Sequence, residues 1–406
     1  MSIFSAKPYI FASVAVLVLA ASGIATSLKQ APAAATTESS PWFDTNSNAA
    51  ASRANLKEKV LSPTAVTKIQ YLRSVVSPLI SPSAPCGSGV VAPVLVGGSL
   101  YVITNAELSK YNPGTGALIW RAIPDPSFSL QYDSLAISGN LVIVGAETTG
   151  CVDPASLGEV FAFSASTGAP VWQTPLAFGG DSVIAQSFVV STINAENNDT
   201  SVFDLSTGKF LWDTGGGCTQ SANLVVAALV MTYGCDAQGN TLEARTLATG
   251  AIAWSLPGNW TIQRGDLSGT AGQHLYATNP SGTVVDLNPL TGQTGYSLSG
   301  AVNVLAVDAA RVYATCGSQG FSICGYSIAT GALEWQANVG TTIAAAADNV
   351  LYLDSGQALN AATGQLISTV WASPNRSRAS AIAIGDGRIA VVSDPRVLDL
   401  LGLPGS

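Results

Sequence analysis

Along most of this chain hydrophobic and polar positions alternate in short runs, such as "EVFAFSA" (159–165) and "SVFDLS" (201–206), and the runs end in clusters of Gly, Asn, Asp, Ser or Thr. A period of two over a few residues, bounded by turn formers, predicts β-strands with one buried face. The runs come in pairs, and eight hairpins can be read: "VVAPVLVGGSLYVI", "SLAISGNLVIVG", "SVIAQSFVVST", "LVVAALVMTYG", "LSGTAGQHLYATN", "VLAVDAARVYATC", "IAAAADNVLYLDS" and "AIAIGDGRIAVVS".

A second signal follows seven of these hairpins, a Thr-Gly pair whose glycines are Gly116, Gly168, Gly208, Gly250, Gly292, Gly331 and Gly364. Their spacings of 52, 40, 42, 42, 39 and 33 residues mark a repeat architecture. A turn between strands needs a residue that tolerates positive φ, which Gly does without a Cβ clash. Four residues after the glycine stand Trp120, Trp172, Trp212, Trp254, Tyr296 and Trp335, with Ser368 in the seventh copy. A large aromatic at a fixed place in each repeat is expected to wedge between neighbouring sheets rather than touch a ligand.

Seven turns against eight hairpins leave the last unit, ending "RVLDLLGLPGS", one strand short. Residues 61–78, "LSPTAVTKIQYLRSVVSP", end in a strand-like run that matches "ALIWRAIPDP" in pattern, with Arg73 near the aromatic position. This run is the natural donor, and joining the two ends of a ring removes exposed sheet edges. The expected fold is all-β: an eight-bladed β-propeller of four-stranded antiparallel blades over residues 54–406, closed by an N-terminal strand. The alternative is seven blades, with "AIAIGDGRIAVVS" packed outside the ring.

Composition narrows the function. With 47% hydrophobic and 10% charged residues the chain can build a large core, and a net charge of −8 argues against a nucleic-acid partner. Its single histidine, His274, cannot be matched to a chosen Ser and Asp, and a structural role is expected of it. The "GSG" at 87–89 precedes a strand without a nucleophile elbow, and "DTGGGC" at 213–218 is not followed by a helix pattern, so neither an acyl-transfer nucleophile nor a phosphate loop is expected. Residues 8–28 are uncharged between Lys7 and Lys29 and read equally as a signal peptide or a membrane anchor, domain 1–28; either puts the rest outside the cytoplasm. "LAAS" at 19–22 would resemble a lipoprotein cleavage site only with Cys in place of Ser22, so no lipid anchor is expected. Residues 29–53, rich in Ala, Ser, Thr and Asn, read as a flexible linker in which Trp42 is the anomaly.

The repeated Thr-Gly-x-x-x-Trp and the strand before it resemble the PQQ-type β-propeller repeat family over roughly residues 54–406. The resemblance implies either of two things, since the family holds quinoprotein dehydrogenases and non-catalytic propellers similar to the outer-membrane assembly lipoprotein. The dehydrogenase branch implies PQQ held in the ring with Ca²⁺, a catalytic Asp, and a disulfide between adjacent cysteines. No two cysteines here are sequence neighbours, and no Asp-x-Asp with a following Glu gives a Ca²⁺ loop. The chain is therefore expected to be non-enzymatic and without cofactor, with PQQ and Ca²⁺ belonging to the alternative of a quinone-dependent or otherwise cryptic enzyme.

Six cysteines, Cys86, Cys151, Cys218, Cys235, Cys316 and Cys324, in an exported chain imply disulfides. In a four-stranded blade the connections into the first strand and between the second and third lie on one face; the Thr-Gly turns lie on the other. All six cysteines fall on the face opposite those turns, which suggests Cys218 with Cys235, Cys316 with Cys324, and Cys86 with Cys151. Metal binding by these thiols is the rival, although no Cys-x-x-Cys occurs. The same face carries the longest connections, "ETTGCVDPASLGE", "TINAENNDT" and "GCDAQGN". Glu147, Asp153, Asn194, Glu196, Asn198, Asp199 and Asp236 are therefore the candidates for binding a protein or cell-envelope partner.

Overall fold

A computed structural model describes residues 48–76, 93–104, 107–124, 130–148, 158–176, 181–192, 199–215, 224–236, 239–266, 274–317, 322–340, 343–371, 379, 381–394 and 397–405. Within them the alternating runs form eight antiparallel sheets, one per repeat. Blades 1 to 7 span residues 94–122, 130–176, 182–213, 224–257, 261–297, 301–338 and 343–369, and blade 8 joins residues 381–402 to Gln70–Val76. Inner strands such as Ser182–Ala185 and Leu224–Val226 bury every position, whereas outer strands such as Leu333–Asn338 bury little beyond their aromatic residue. Seven apolar clusters fill the seams. Six of them join two neighbouring blades each, and the seventh spans blades 7, 8 and 1. The hydrophobic effect thus acts chiefly between blades, since one sheet alone cannot bury both faces.

The strand expected to close the ring does so. Gln70–Val76 pairs antiparallel with Val397–Gly402, from Gln70 opposite Gly402 to Val76 opposite Val397, with a bulge between Tyr71 and Arg73. The fifth hairpin is corrected: the inner strand of blade 5 is Thr261–Gly265, upstream of the expected "LSGTA", and residues 267–273 lie outside those described. Gln263 and Arg264 hide that strand from an apolar count because their side chains serve the next blade, donating to the carbonyls of Val302 (3.3 Å) and Val304 (3.0 Å).

In all seven Thr-Gly turns the glycine has φ between +68° and +73°. Its N–H donates to the carbonyl four residues earlier, as from Gly168 to Ser164 (2.8 Å). The outer strand then resumes with a one-residue bulge, Phe163 facing Pro170 but Ala162 facing Trp172. The ring of the preceding blade lies on the glycine: a Cβ on Gly168 would come within 2.6 Å of Trp120 Cε3, and one on Gly250 within 2.7 Å of Trp212 Cδ2. Each indole N–H crosses the seam to the carbonyl three residues before that glycine, from Trp120 to Ala165 (3.1 Å), Trp172 to Leu205 (3.0 Å), Trp212 to Leu247 (2.7 Å), Trp254 to Pro289 (2.7 Å) and Trp335 to Ala361 (3.0 Å). Tyr296 does the same with its hydroxyl, to Ile328 (2.6 Å). The motif is an interlock between successive blades.

Candidate functional site

Residues 48–53, expected to be linker, are instead built into the ring's centre. The segment passes the downstream ends of the inner strands in blade order. The carbonyls of Ala49, Ala50, Ser52 and Arg53 accept from the N–H groups of Val225, Gly265, Val307 and Ala346, in blades 4 to 7, at 2.8–2.9 Å. Ala54 and Asn55 then run parallel to Ala346 and Ala347. Blade 8 is reached by Asn55 Nδ2, which donates to the Ile384 carbonyl (2.7 Å), and by Glu58 Oε2, which accepts from Gly387 N–H (3.0 Å). Five of the eight blades therefore have inner backbone groups satisfied by this one segment. Small side chains permit the approach: a Cβ on Gly265 would already lie 3.2 Å from the Cβ of Ala50. The Ala- and Ser-rich composition that reads as a linker is here a requirement of close packing.

Two guanidiniums stand beside the segment. Arg264 donates from Nε to Val304 and from Nη1 to the Ala51 carbonyl (2.5 Å), and burial together with the charge of Arg53 pulls its pKa down to about 9. Burial lowers that of Arg53 as well. Farther along, a cleft of about 100 Å³ is lined by Asn55, Lys59, Asp308, Asp348 and Asn349. Asp308 is already engaged there, accepting from the N–H groups of Ala310 and Arg311 and from the Tyr313 hydroxyl. Among the described residues no group of three or more His, Cys, Asp and Glu is arranged to hold a metal ion.

His274 lies inside blade 5, its Nδ1 3.0 Å from Asp286 Oδ1 and its ring stacked on Tyr276. The hydrogen bond to Asp286 raises its pKa, against the opposing effect of burial. The Tyr276 and Tyr296 hydroxyls are 2.9 Å apart, so this polar cluster continues into the blade 5–6 interlock.

On the opposite face, Glu147 pairs with Gln131 and Gly158 in blade 2, Asp199 accepts from Thr214 Oγ1 (3.4 Å) in blade 3, and Asp236 faces Gly239 in blade 4. These three share a face at the second-to-third connections of consecutive blades. Asp153, Asn194, Glu196 and Asn198 lie outside the described residues. Cys316 and Cys324 form a disulfide, Cα–Cα 5.9 Å, joining the second and third strands of blade 6 on this same face. Cys235 faces Asn240 at the corresponding place in blade 4, while Cys86, Cys151 and Cys218 lie outside the described residues.

Reading strand pattern alone misses the residue four before each turn glycine: Asn112, Ser164, Asp204, Thr246, Asn288, Ser327 and Asn360. Its side chain organises the turn. Asn112 Oδ1 accepts from the N–H groups of Gly114 and Thr115, and Asp204 Oδ1 from Ser206 and Thr207, whose hydroxyls also hold that carboxyl below its ordinary range. The recurrence of Asn, Asp, Ser or Thr at this spacing was the available signal.

Residues 156–299 match the family described as "Outer membrane protein assembly factor BamB". Residues 156–299 carry PQQ-type repeats. The match runs from the third strand of blade 2 through blade 5, where the Thr-Gly-x-x-x-aromatic unit is regular, and stops short of the closure. No curated protein matches the chain in sequence. Among solved structures it is similar to BamB from Moraxella catarrhalis, with 16% identity and a TM-score of 0.57 over 83% of this chain and 98% of that one. A quinohemoprotein alcohol dehydrogenase from Comamonas testosteroni matches with 13% identity and a TM-score of 0.63, over 90% and 81%. The computationally designed Ika8 protein matches with 18% identity and a TM-score of 0.61, over 78% and 96%. At such identities these likenesses show the fold alone. Among the described residues no helix is long and apolar enough to cross a membrane; residues 8–28 lie outside them.

Proposed function

We propose that this PQQ-type propeller is an exported, non-enzymatic scaffold that binds a protein or cell-envelope partner through the face opposite the Thr-Gly turns. The observation that carries this reading is the asymmetry between the two ends of the ring. At the Thr-Gly end the inner strands of blades 4 to 8 are occupied by residues 49–58 of the chain itself. At the other end stand the strand ends that the longest connections join, Thr148 and Gly158 in blade 2 and Thr192 and Thr200 in blade 3, held by their ladders. The match to a family described as an outer membrane protein assembly factor supports the same direction. A quinone-dependent dehydrogenase would need carboxylate and amide groups converging on Ca²⁺. The cleft beside the central segment does bring Asp308 and Asp348 near Asn55 and Asn349, but Lys59 lines it too, Asp308 is already engaged by Ala310, Arg311 and Tyr313, and Arg53 and Arg264 add positive charge, a set that does not favour Ca²⁺.

The test is site-specific photocrosslinking in envelope extracts. A crosslinker at Asp199 or Asp236 is expected to give defined adducts that one at Thr207 or Thr249, on the Thr-Gly face, does not. Adducts from the Thr-Gly face alone would reject the assignment of the face. Saturable stabilisation by PQQ and Ca²⁺ together with dye-linked oxidation would reject the scaffold reading altogether.

A further inference from the structure

Six seams of the ring are closed by an aromatic ring laid on a turn glycine, its N–H or O–H given to a carbonyl. The seam where the chain's two ends meet is built differently. Arg73 of the closing strand takes the aromatic's place: a Cβ on Gly116 would lie 3.0 Å from Arg73 Cδ and 3.8 Å from its Nη1. Arg388, in the second strand of blade 8, reaches the same turn of blade 1, 3.7 Å from where a Cβ on Gly114 would stand.

Neither guanidinium is in an ion pair among the described residues. The Nε atoms of Arg73 and Arg388 are both buried and have no hydrogen-bond partner among the described residues, and the four ion pairs there involve other residues. Arg388 Nη1 is 3.5 Å from the Asp386 carbonyl, at the limit of a hydrogen bond. Asp386 Oδ2 accepts from Gly98 N–H (2.9 Å), and Asn112 Oδ1 accepts twice from its own turn. Two guanidiniums thus approach the one Gly114–Gly116 turn, each with an unpartnered Nε, in a chain of net charge −8.

We propose that the blade 8–blade 1 seam is an oxyanion site that takes a phosphate group on Arg73 and Arg388. A guanidinium presents planar donors that match two oxygens on one centre, and two guanidiniums match the roughly two negative charges of a phosphate monoester better than the single charge of a carboxylate. The same chemistry serves a free phosphate or a phospholipid headgroup. The site stands apart from the loop face and does not rest on the proposed function.

The experiment uses the full chain with inorganic phosphate at constant ionic strength, adjusted with NaCl, followed by calorimetric titration and by melting temperature. Two variants accompany it: Arg73→Trp, which lays on Gly116 the side chain used at five other seams, and Arg388→Gln. The wild type is expected to show a saturable response that each variant weakens at least about tenfold, which corresponds to 1.4 kcal/mol. Circular dichroism checks that both variants fold, and Arg388→Gln decides alone if Arg73→Trp does not. Flotation with phosphatidic acid vesicles against phosphatidylcholine vesicles separates the sources: binding competed by phosphate identifies a headgroup, and a phosphate response without vesicle binding identifies a soluble ligand. No saturable response in the wild type, or one that survives both substitutions, overturns the proposal.

Discussion

Replacing Gly250 by alanine tests whether the blades are locked to one another at their Thr-Gly turns. The structure gives the substitution two separate costs. At φ +69° a Cβ meets the backbone strain of the left-handed region, about 1–2 kcal/mol. The same Cβ would lie 2.7 Å from Cδ2 and 2.9 Å from Cε3 of Trp212, an overlap of the kind that costs about 1–3 kcal/mol in packed cores. Together they amount to about 2–5 kcal/mol. Trp212 is 9% exposed and bonded to Leu247, so Trp212→Ala by itself should cost about 3–5 kcal/mol. In that background the overlap is absent and the backbone cost remains, so Gly250→Ala should cost only about 1–2 kcal/mol. The double-mutant cycle therefore predicts a coupling of about 1–3 kcal/mol. Urea unfolding followed by far-UV circular dichroism measures it without depending on the tryptophan being removed. If Gly250→Ala costs the same with and without Trp212, the cost is backbone strain alone and the interlock argument is wrong.

Two further outcomes are expected. Deleting residues 54–78 removes the outer strand of blade 8 and the parallel strand on blade 7, leaving unpaired ladder groups; size-exclusion chromatography should show loss of soluble monomer, and an unchanged melting temperature would count against the closure. The second concerns pH: Asp286 raises the pKa of His274 above its unfolded value of about 6.5, so the stabilisation is complete below that pH and is lost as pH rises through the folded value. The stability difference between wild type and Asp286→Asn should shrink as pH rises above about 6.5; a difference independent of pH would reject the pairing as its cause.

Much of the fold was legible because its signals are local. The period-two runs, the glycine that must take positive φ and the aromatic four residues later report contacts within one repeat, and the repeats are enough alike to be counted. The missing eighth outer strand followed from that count, as did its donor, since Arg73 stands where the pattern asks for an aromatic. Blade 5 was misread where Gln263 and Arg264 break the apolar alternation to reach Val302 and Val304 of the next blade.

What the tertiary structure alone decided has a common origin in the closed ring. "NAAASRAN" carries no strand or helix period, and its small residues are informative only once inner strands surround an axis that they can approach. Arg73 and Arg388, 315 residues apart, meet the same Gly114–Gly116 turn only when the strand Gln70–Val76 docks on blade 8. Local pattern determined the blade, because a strand and its turn are set by neighbours a few residues away. Closure determined the centre and the seam, because both exist only after eight blades have come together.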